Sequence, residues 1–417
     1  MGHTGGVRRF RFLGKWMTAT LFASFVFGCG EKAPPTANPP AANPTAGPQA
    51  VKTVAPMPSD AEAKSVAQTI ENAVKANDKQ VFGDFIDWDG VIKQAIEPLA
   101  LPLQAQTGYR RGVLNSVNGE AGLTGQILKQ VAAGGSYRFL RVRELDGQKT
   151  IVFRLLGDSG VNYHEYLLRD DEGKWRASDI YIFLSAERIS ETLRRSAIPL
   201  AQQLSRGWLE KLTKSQSAYI ANFEKISRMA DTLRTNPAET LNIYQQLPAE
   251  VQQDKNVLLF RYQAASAVGE QELIAAIEDF RKFHPNDVGV DFLLIDYLVL
   301  KAEFDEALTS IDRLDKSVGG DPYLDTLRAE IVVKQKDVPK ALQLAEQSVR
   351  GAPDIIEPHL TLISLLLESK SHARTLAGLR HLEQNFKFNP GDVSGHPIYA
   401  DFVKSPEGVE WVRTHPR

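Results

Sequence analysis

The run "YRFLRVRELDGQKTIVFRLLGDSGVNYHEYLLRDDEGKWRASDIYIFL", Tyr137 to Leu184, decides the fold of the first folded part. Four stretches in it, YRFLRVREL, KTIVFRLLG, VNYHEYLLRD and KWRASDIYIFL, are dense in aromatic and β-branched residues. They are separated by DGQ, DSG and DDEGK, which are turn sequences. Runs of this length with turns this short predict an antiparallel meander. A strict two-residue alternation along the first run puts Tyr137, Phe139, Arg141 and Arg143 on one face.

Upstream of the meander the period changes to that of a helix. Val66, Ile70 and Val74, then Val81, Phe82 and Phe85, recur at helical spacing. GVIKQAIEPLALPL reads as a second short helix stopped at Pro98 or Pro102, and TGQILKQVAAGG as another closed by Gly134-Gly135. Helices first and strands after make an α+β domain over residues 60–190. In element order it resembles the nuclear transport factor two-like (cystatin-like cone) fold. That resemblance implies a pocket between sheet and helices, in which some relatives act as isomerases or dehydratases through Asp, His and Tyr. The corresponding candidates are Asp84, Asp87, Tyr163, His164 and Asp179. Each has a plainer reading. The alternation of His164 and Tyr166 with Tyr163 and Glu165 allows His164 an outer sheet face. Asp87-Trp88-Asp89-Gly90 starts like a calcium loop but lacks the later carboxylates and the closing Glu. Arg138, Arg141, Arg143 and Arg154 are expected to pair across strands with Glu144, Glu165 or Asp170 rather than to hold an anion.

Residues 191–217 read as a connecting helical segment, broken near Pro199, and residues 218–395 as all-α. EFDEALTSIDRL places Ala307, and DVPKALQLAEQSV places Ala341, where two helices must approach closely. Ala341 stands thirty-four positions after Ala307, and Leu273 stands the same distance before it. Pro285 follows Leu273 by twelve positions, and Pro353 follows Ala341 by twelve. A period of this length in helical hairpins resembles the tetratricopeptide repeat, and AEFDEAL resembles the start of its second helix. The first-helix Trp and Gly of that family are missing throughout. Asn236 to Pro248 reads as a short leading repeat and residues 358–385 as a last, degenerate one. The resemblance implies a solenoid whose groove holds a protein or peptide segment. Residues 396–417 are expected to cap it, with Ile398, Phe402, Val409 and Val412 as the apolar stripe.

At the other end, Arg8, Arg9, Arg11 and Lys15 precede an uncharged run from Trp16 to Gly28. Its thirteen residues are too few to span a bilayer core, which takes about 20. A basic start and a short apolar core read as a secretory signal over residues 1–28. Val26-Phe27-Gly28-Cys29 then resembles the lipobox of bacterial lipoproteins, which implies cleavage before Cys29 and lipid attachment to it. Cys29 is the sole cysteine of the 417 residues. Arg8-Arg9 also resembles a twin-arginine signal, but Arg11 occupies a place where that signal takes an apolar residue. Residues 29–59 form a Pro- and Ala-rich spacer without enough apolar surface to fold. Gly30, where an Asp favours inner-membrane retention, points to the outer membrane.

The charge is mild. Without the four leading basic residues, 45 basic residues face 51 acidic ones, a net charge of −6. That excludes the electrostatic footprint of a nucleic-acid binder. His359, His372, His381 and His396 are scattered without metal-ligand spacing, and no phosphate loop, dinucleotide turn or nucleophile motif occurs. No cofactor, no metal and no catalysis are therefore expected. The expected partners are a protein or peptide at the helical repeats and the membrane through Cys29. The alternative is a ligand-binding or enzymatic pocket in the α+β domain. A polar cavity with converging carboxylates favours that alternative; a filled apolar interior favours the scaffold.

Overall fold

The computed structural model describes residues 57–120, 122–157, 160–204, 214–285 and 287–416. Cys29, the signal segment and the spacer up to residue 56 lie outside the described residues, as does 205–213 of the connecting segment. The chain divides into two compact units between Phe283 and His284. The first two helical hairpins thus group with the α+β domain, whereas the sequence pattern changes near Ala218.

The α+β domain opens with α1 (Asp60–Lys75), α2 (Lys79–Phe85) and α3 (Trp88–Ile96), followed by α4 (Leu103–Asn118) and α5 (Leu123–Ala132). Ser59 and Glu62 close a reciprocal capping box at the start of α1, the side-chain oxygen of each accepting from the other's backbone N–H. Pro98 lies in a 3-10 turn, Glu97–Leu99, that ends α3. α4 has no counterpart in the sequence pattern. It contains Gly108 and Gly112 and buries only Tyr109, Val113 and Val117.

Five antiparallel strands follow in the order of the chain: β1 (Ser136–Leu145), β2 (Gln148–Gly157), β3 (Gly160–Asp171), β4 (Lys174–Ile182) and the two-residue β5 (Glu187–Arg188). The turns Asp146-Gly147 and Glu172-Gly173 have positive φ at both residues, 52° and 74°, then 52° and 82°. This is the primed turn that matches strand twist. Along β1 the strict alternation fails once. A bulge between Phe139 and Arg141 leaves Leu140 unpaired, with Phe139 opposite Phe153 and Arg141 opposite Val152. Tyr137, Phe139 and Val142 therefore pack on the helix-covered face, and Arg141 and Arg143 turn to the other face. A second bulge at Leu167/Leu168 does the same in β3 and β4. Phe82, Phe85, Tyr137, Phe153 and Tyr166 fill the interior between sheet and helices.

In the same unit α6 (Ile189–Leu204) packs on α3 and β4 and adds Leu193, Ala197 and Ala201 to the core, with Pro199 inside the helix rather than at a break. Then come α7 (Lys214–Ala221), α8 (Phe223–Thr232), α9 (Pro237–Gln245), the short α10 (Ala249–Gln252), α11 (Lys255–Val268) and α12 (Glu270–Phe283). α8 packs on α9 and α11 on α12, as hairpins.

The second unit is helical throughout: α13 (Val288–Leu300), α14 (Phe304–Val318), α15 (Leu324–Lys334), α16 (Val338–Gly351), α17 (Ile356–Glu368), α18 (His372–Phe386) and α19 (Pro406–Thr414). Its backbone repeats with the period of the sequence. Each hairpin corner has one left-handed residue, Ala302 (φ 58°), Lys336 (φ 68°) and Lys370 (φ 53°). In each corner the next N–H reaches back five residues: Glu303 N to Leu298 O at 2.8 Å, Asp337 N to Val332 O at 3.3 Å, Ser371 N to Leu366 O at 2.8 Å. The second helices carry the same buried stripe. Ala307, Ile311 and Leu314, then Ala341, Ala345 and Ser348, then Thr375, Leu379 and Leu382 all have 0 % exposed surface. In α12 of the first unit Ile277 and Phe280 fall in that register and are buried, while the bulkier Leu273 stays half-exposed. Ala341 packs in one cluster with Ala329, Val332, Ala345 and Leu365. Ala341→Leu is therefore expected to cost about 1–3 kcal/mol by overpacking. The melt of the unit containing residues 284–416 should fall, and an unchanged melt would show that the position has room.

The cap differs from the expected stripe. Ile398 and Val409 are exposed, whereas Tyr399, Phe402 and Trp411 pack against Leu379 and Leu382. The chain makes two 3-10 turns at Pro397–Tyr399 and Phe402–Lys404 before α19, so one helical period across residues 398–412 does not hold.

Candidate functional site

The five polar residues singled out in the α+β domain are not brought together. Asp84 is exposed, and its backbone carbonyl accepts from Arg176 Nε at 2.9 Å. Asp87 caps α3, accepting from Gly90 N at 3.0 Å, and pairs with Arg169. Asp179 is buried and accepts from Ser190 Oγ at 2.5 Å and Ser190 N at 3.2 Å, so it ties β4 to the start of α6. Burial nevertheless holds its carboxyl above the usual range. Tyr163 is buried with its ring edge-on to Phe183.

His164 lies on the inner face, not the outer one. Its Nδ1 is 3.1 Å from Tyr137 Oη, which is 2.7 Å from Tyr166 Oη, and its Nε2 is 3.3 Å from Asn162 Nδ2. With no exposed surface, its pKa is lowered to about 3 by burial, so the imidazole is neutral in the folded chain. The rings around it are in contact, and the group is a satisfied core network. Of the four arginines read as cross-strand partners, Arg143 meets Glu165 of β3 at 3.4 Å, but Arg138 meets Glu71 of the helix α1 at 3.1 Å rather than a strand residue.

The helical unit holds a different arrangement. Asp296 stands in α13 inside the apolar run Phe292–Leu300. One period on, at the same place in the next first helix, α15 carries Glu330. Thr361 of α17 donates to Glu330 Oε1 at 2.8 Å. These three side chains mark a line across the first helices of three consecutive hairpins. Both acids keep part of their surface, and among the described residues neither has an ion-pair partner. Burial pushes Asp296 up to about 8, and the neighbouring Glu330 adds to this. Burial pushes Glu330 up to about 7, against the opposing Thr361 hydrogen bond and the Lys334 charge. Recessed together and held partly protonated for want of a countercharge, the pair ionises fully when a positive group meets it and is suited to receive one.

The contrast with other acids of the unit is plain. Asp291 is held by Arg313, whose Nε lies 3.1 Å from each carboxylate oxygen, and Arg328 holds Asp312, Asp315 and Asp325 together. The sequence reading missed both acids; the signal that could have found Asp296 is a charged residue in the middle of an apolar helical run. Glu330, between Ala329 and Ile331, gave the same signal one period later.

Among the described residues no group of His, Cys, Asp and Glu is placed to hold a metal ion, and no helix is long and apolar enough to cross a membrane. Comparison of the chain with protein-family models, curated proteins and solved structures gave no match.

Proposed function

We propose that this chain is a lipid-anchored scaffold of the cell envelope, held through Cys29, favouring the outer membrane, whose tetratricopeptide-like hairpins bind a protein or peptide partner. The partner presents a basic side chain or amine to Asp296 and Glu330. One observation carries this reading: two carboxylates one repeat apart are recessed together without an ion-pair partner, in a unit where the buried Asp291 has one. The repeat itself supports a stacked array, since each hairpin alone leaves its apolar face uncovered.

The unliganded pair should destabilise the unit, and the sign follows from the raised pKa values. Between about pH 4 and pH 8 the folded state binds more protons than the unfolded chain, so stability falls as pH rises through that window. The variant Asp296→Asn, Glu330→Gln is therefore expected to gain on the order of 2 kcal/mol at pH 8, after allowing for the partial exposure of both groups. It should also lose the partner. Crosslinked pull-downs from the native membrane, with melts on the same preparations, test both. A variant that keeps the partner, or melts lower than the parent, overturns the assignment.

A further inference from the structure

The last hairpin holds a histidine pair that none of the roles above uses. The repeat register makes first-helix positions 291, 325 and 359 equivalent, and second-helix positions 313, 347 and 381 likewise. In α13–α14 those places are Asp291 and Arg313, an ion pair. In α17–α18 they are His359 and His381. Their rings stack with centroids 4.6 Å apart and planes 22° apart, and Phe386 sets its edge against both, at 5.1 Å and 6.0 Å. His359 Nε2 lies 3.0 Å from Pro353 O, so it donates there and Nδ1 is left without the proton. His381 Nδ1 lies 3.1 Å from Asn385 Nδ2, so it accepts there. Both assignments follow from the partners each nitrogen faces.

We infer that this stacked pair is an acid-sensitive latch: neutral imidazoles close α17 on α18, and protonation of the two rings opens the hairpin and loosens the cap packed on it. Two cations at ring-stacking distance repel, and a half-buried site screens them less than water does. Burial, with His381 alongside, lowers the basicity of His359, which agrees with a closed state that resists protonation.

Several charged groups of the surrounding elements have partners of their own. On α16, Glu346 pairs with Arg350 and with Arg374 of α18. On α18, Arg380 pairs with Glu410 and Glu383 meets His415 Nε2 at 3.1 Å. Lys387 follows Phe386 at the end of α18, and Asp354 and Glu357 are exposed at the start of α17. His372 faces Phe402 and His396 faces Tyr399. The test must therefore act on the stacked pair itself.

Hydrogen exchange on the full chain, corrected for the intrinsic effect of pH, gives the measurement. Peptides from α17, α18 and α19 are expected to exchange at least tenfold faster at pH 5 than at pH 7. His381→Phe keeps the stack without the charge, and His359→Asp with His381→Arg imports the ion pair of α13–α14. Both variants should hold their protection at pH 5. A parent whose exchange does not change with pH, or variants that lose protection as the parent does, would overturn the latch. Because the readout needs no partner, its failure is separate from failure of the binding reading.

Discussion

Arg195→Ala should destabilise the unit containing the α+β domain by about 3 kcal/mol, the scale of a broken buried ion pair discounted for partial exposure. Arg195 projects from α6 and bonds both carboxylate oxygens of Glu187 on β5. Thr192 donates to the same carboxylate at 2.5 Å. With its amide oxygen turned to the guanidinium, Asn256 of α11 accepts at 2.6 Å and 2.5 Å. Asp254, which caps α11 through Asn256 N and Val257 N, is raised by burial and held down chiefly by Arg195. The guanidinium keeps 27 % of its side-chain surface against 7 % for Glu187. Removing it thus strands the buried partner rather than the exposed one. The loss should fall on the melt of residues 57–283. Pairing Arg195→Met with Glu187→Gln should recover part of it, because an uncharged pair strands nothing. A single variant that melts like the parent would mean that the contact is not maintained in solution.

The second large effect is acid sensitivity at His164. Its folded pKa of about 3 lies below the unfolded value near 6.5. Between those values the unfolded chain binds the extra proton, so stability falls as pH falls through the window. At pH 4 the cost is about 3 kcal/mol, from roughly 1.4 kcal/mol per unit. Other groups titrate over the same range, so the comparison is between parent and His164→Gln. The parent should lose about that much more between pH 7 and pH 4 than the variant does, by urea titration. Equal losses would mean that the imidazole is reached by water, contrary to its packing against Tyr137 and Tyr166.

Local physics made most of the architecture legible. Asp-Gly and Glu-Gly turns fix hairpins without help from the rest of the chain, and the meander follows. The repeat period was visible at Ala307 and Ala341 because a close helix approach admits few side chains. Thr375 satisfies the same position with a β-branched residue and so did not stand out. What the sequence concealed depends on tertiary events. The unpaired Leu140 reverses the facing of Arg141 and Arg143, and no residue pattern announces a bulge. His164 went inward because Tyr137 and Asn162, 27 and 2 residues away, supply its partners. The polar α4 is helical through packing of three side chains, despite two glycines. At the candidate site Asp296 and Glu330 were not singled out, because each is a lone acid in an otherwise apolar helical run. That the charge of Glu330 acts on Asp296 is a consequence of stacking one hairpin on the next.

Site-directed photocrosslinking in the native membrane tests the central claim most directly. A photoreactive residue at position 334, exposed one turn beyond Glu330 on a first helix, is compared with one at position 347, exposed on the second helix α16. Binding at the carboxylate pair predicts a partner adduct from 334 and little from 347, and its loss when Asp296→Asn and Glu330→Gln are added. An adduct from 347 alone, or one from 334 that survives neutralisation of both carboxylates, would contradict it.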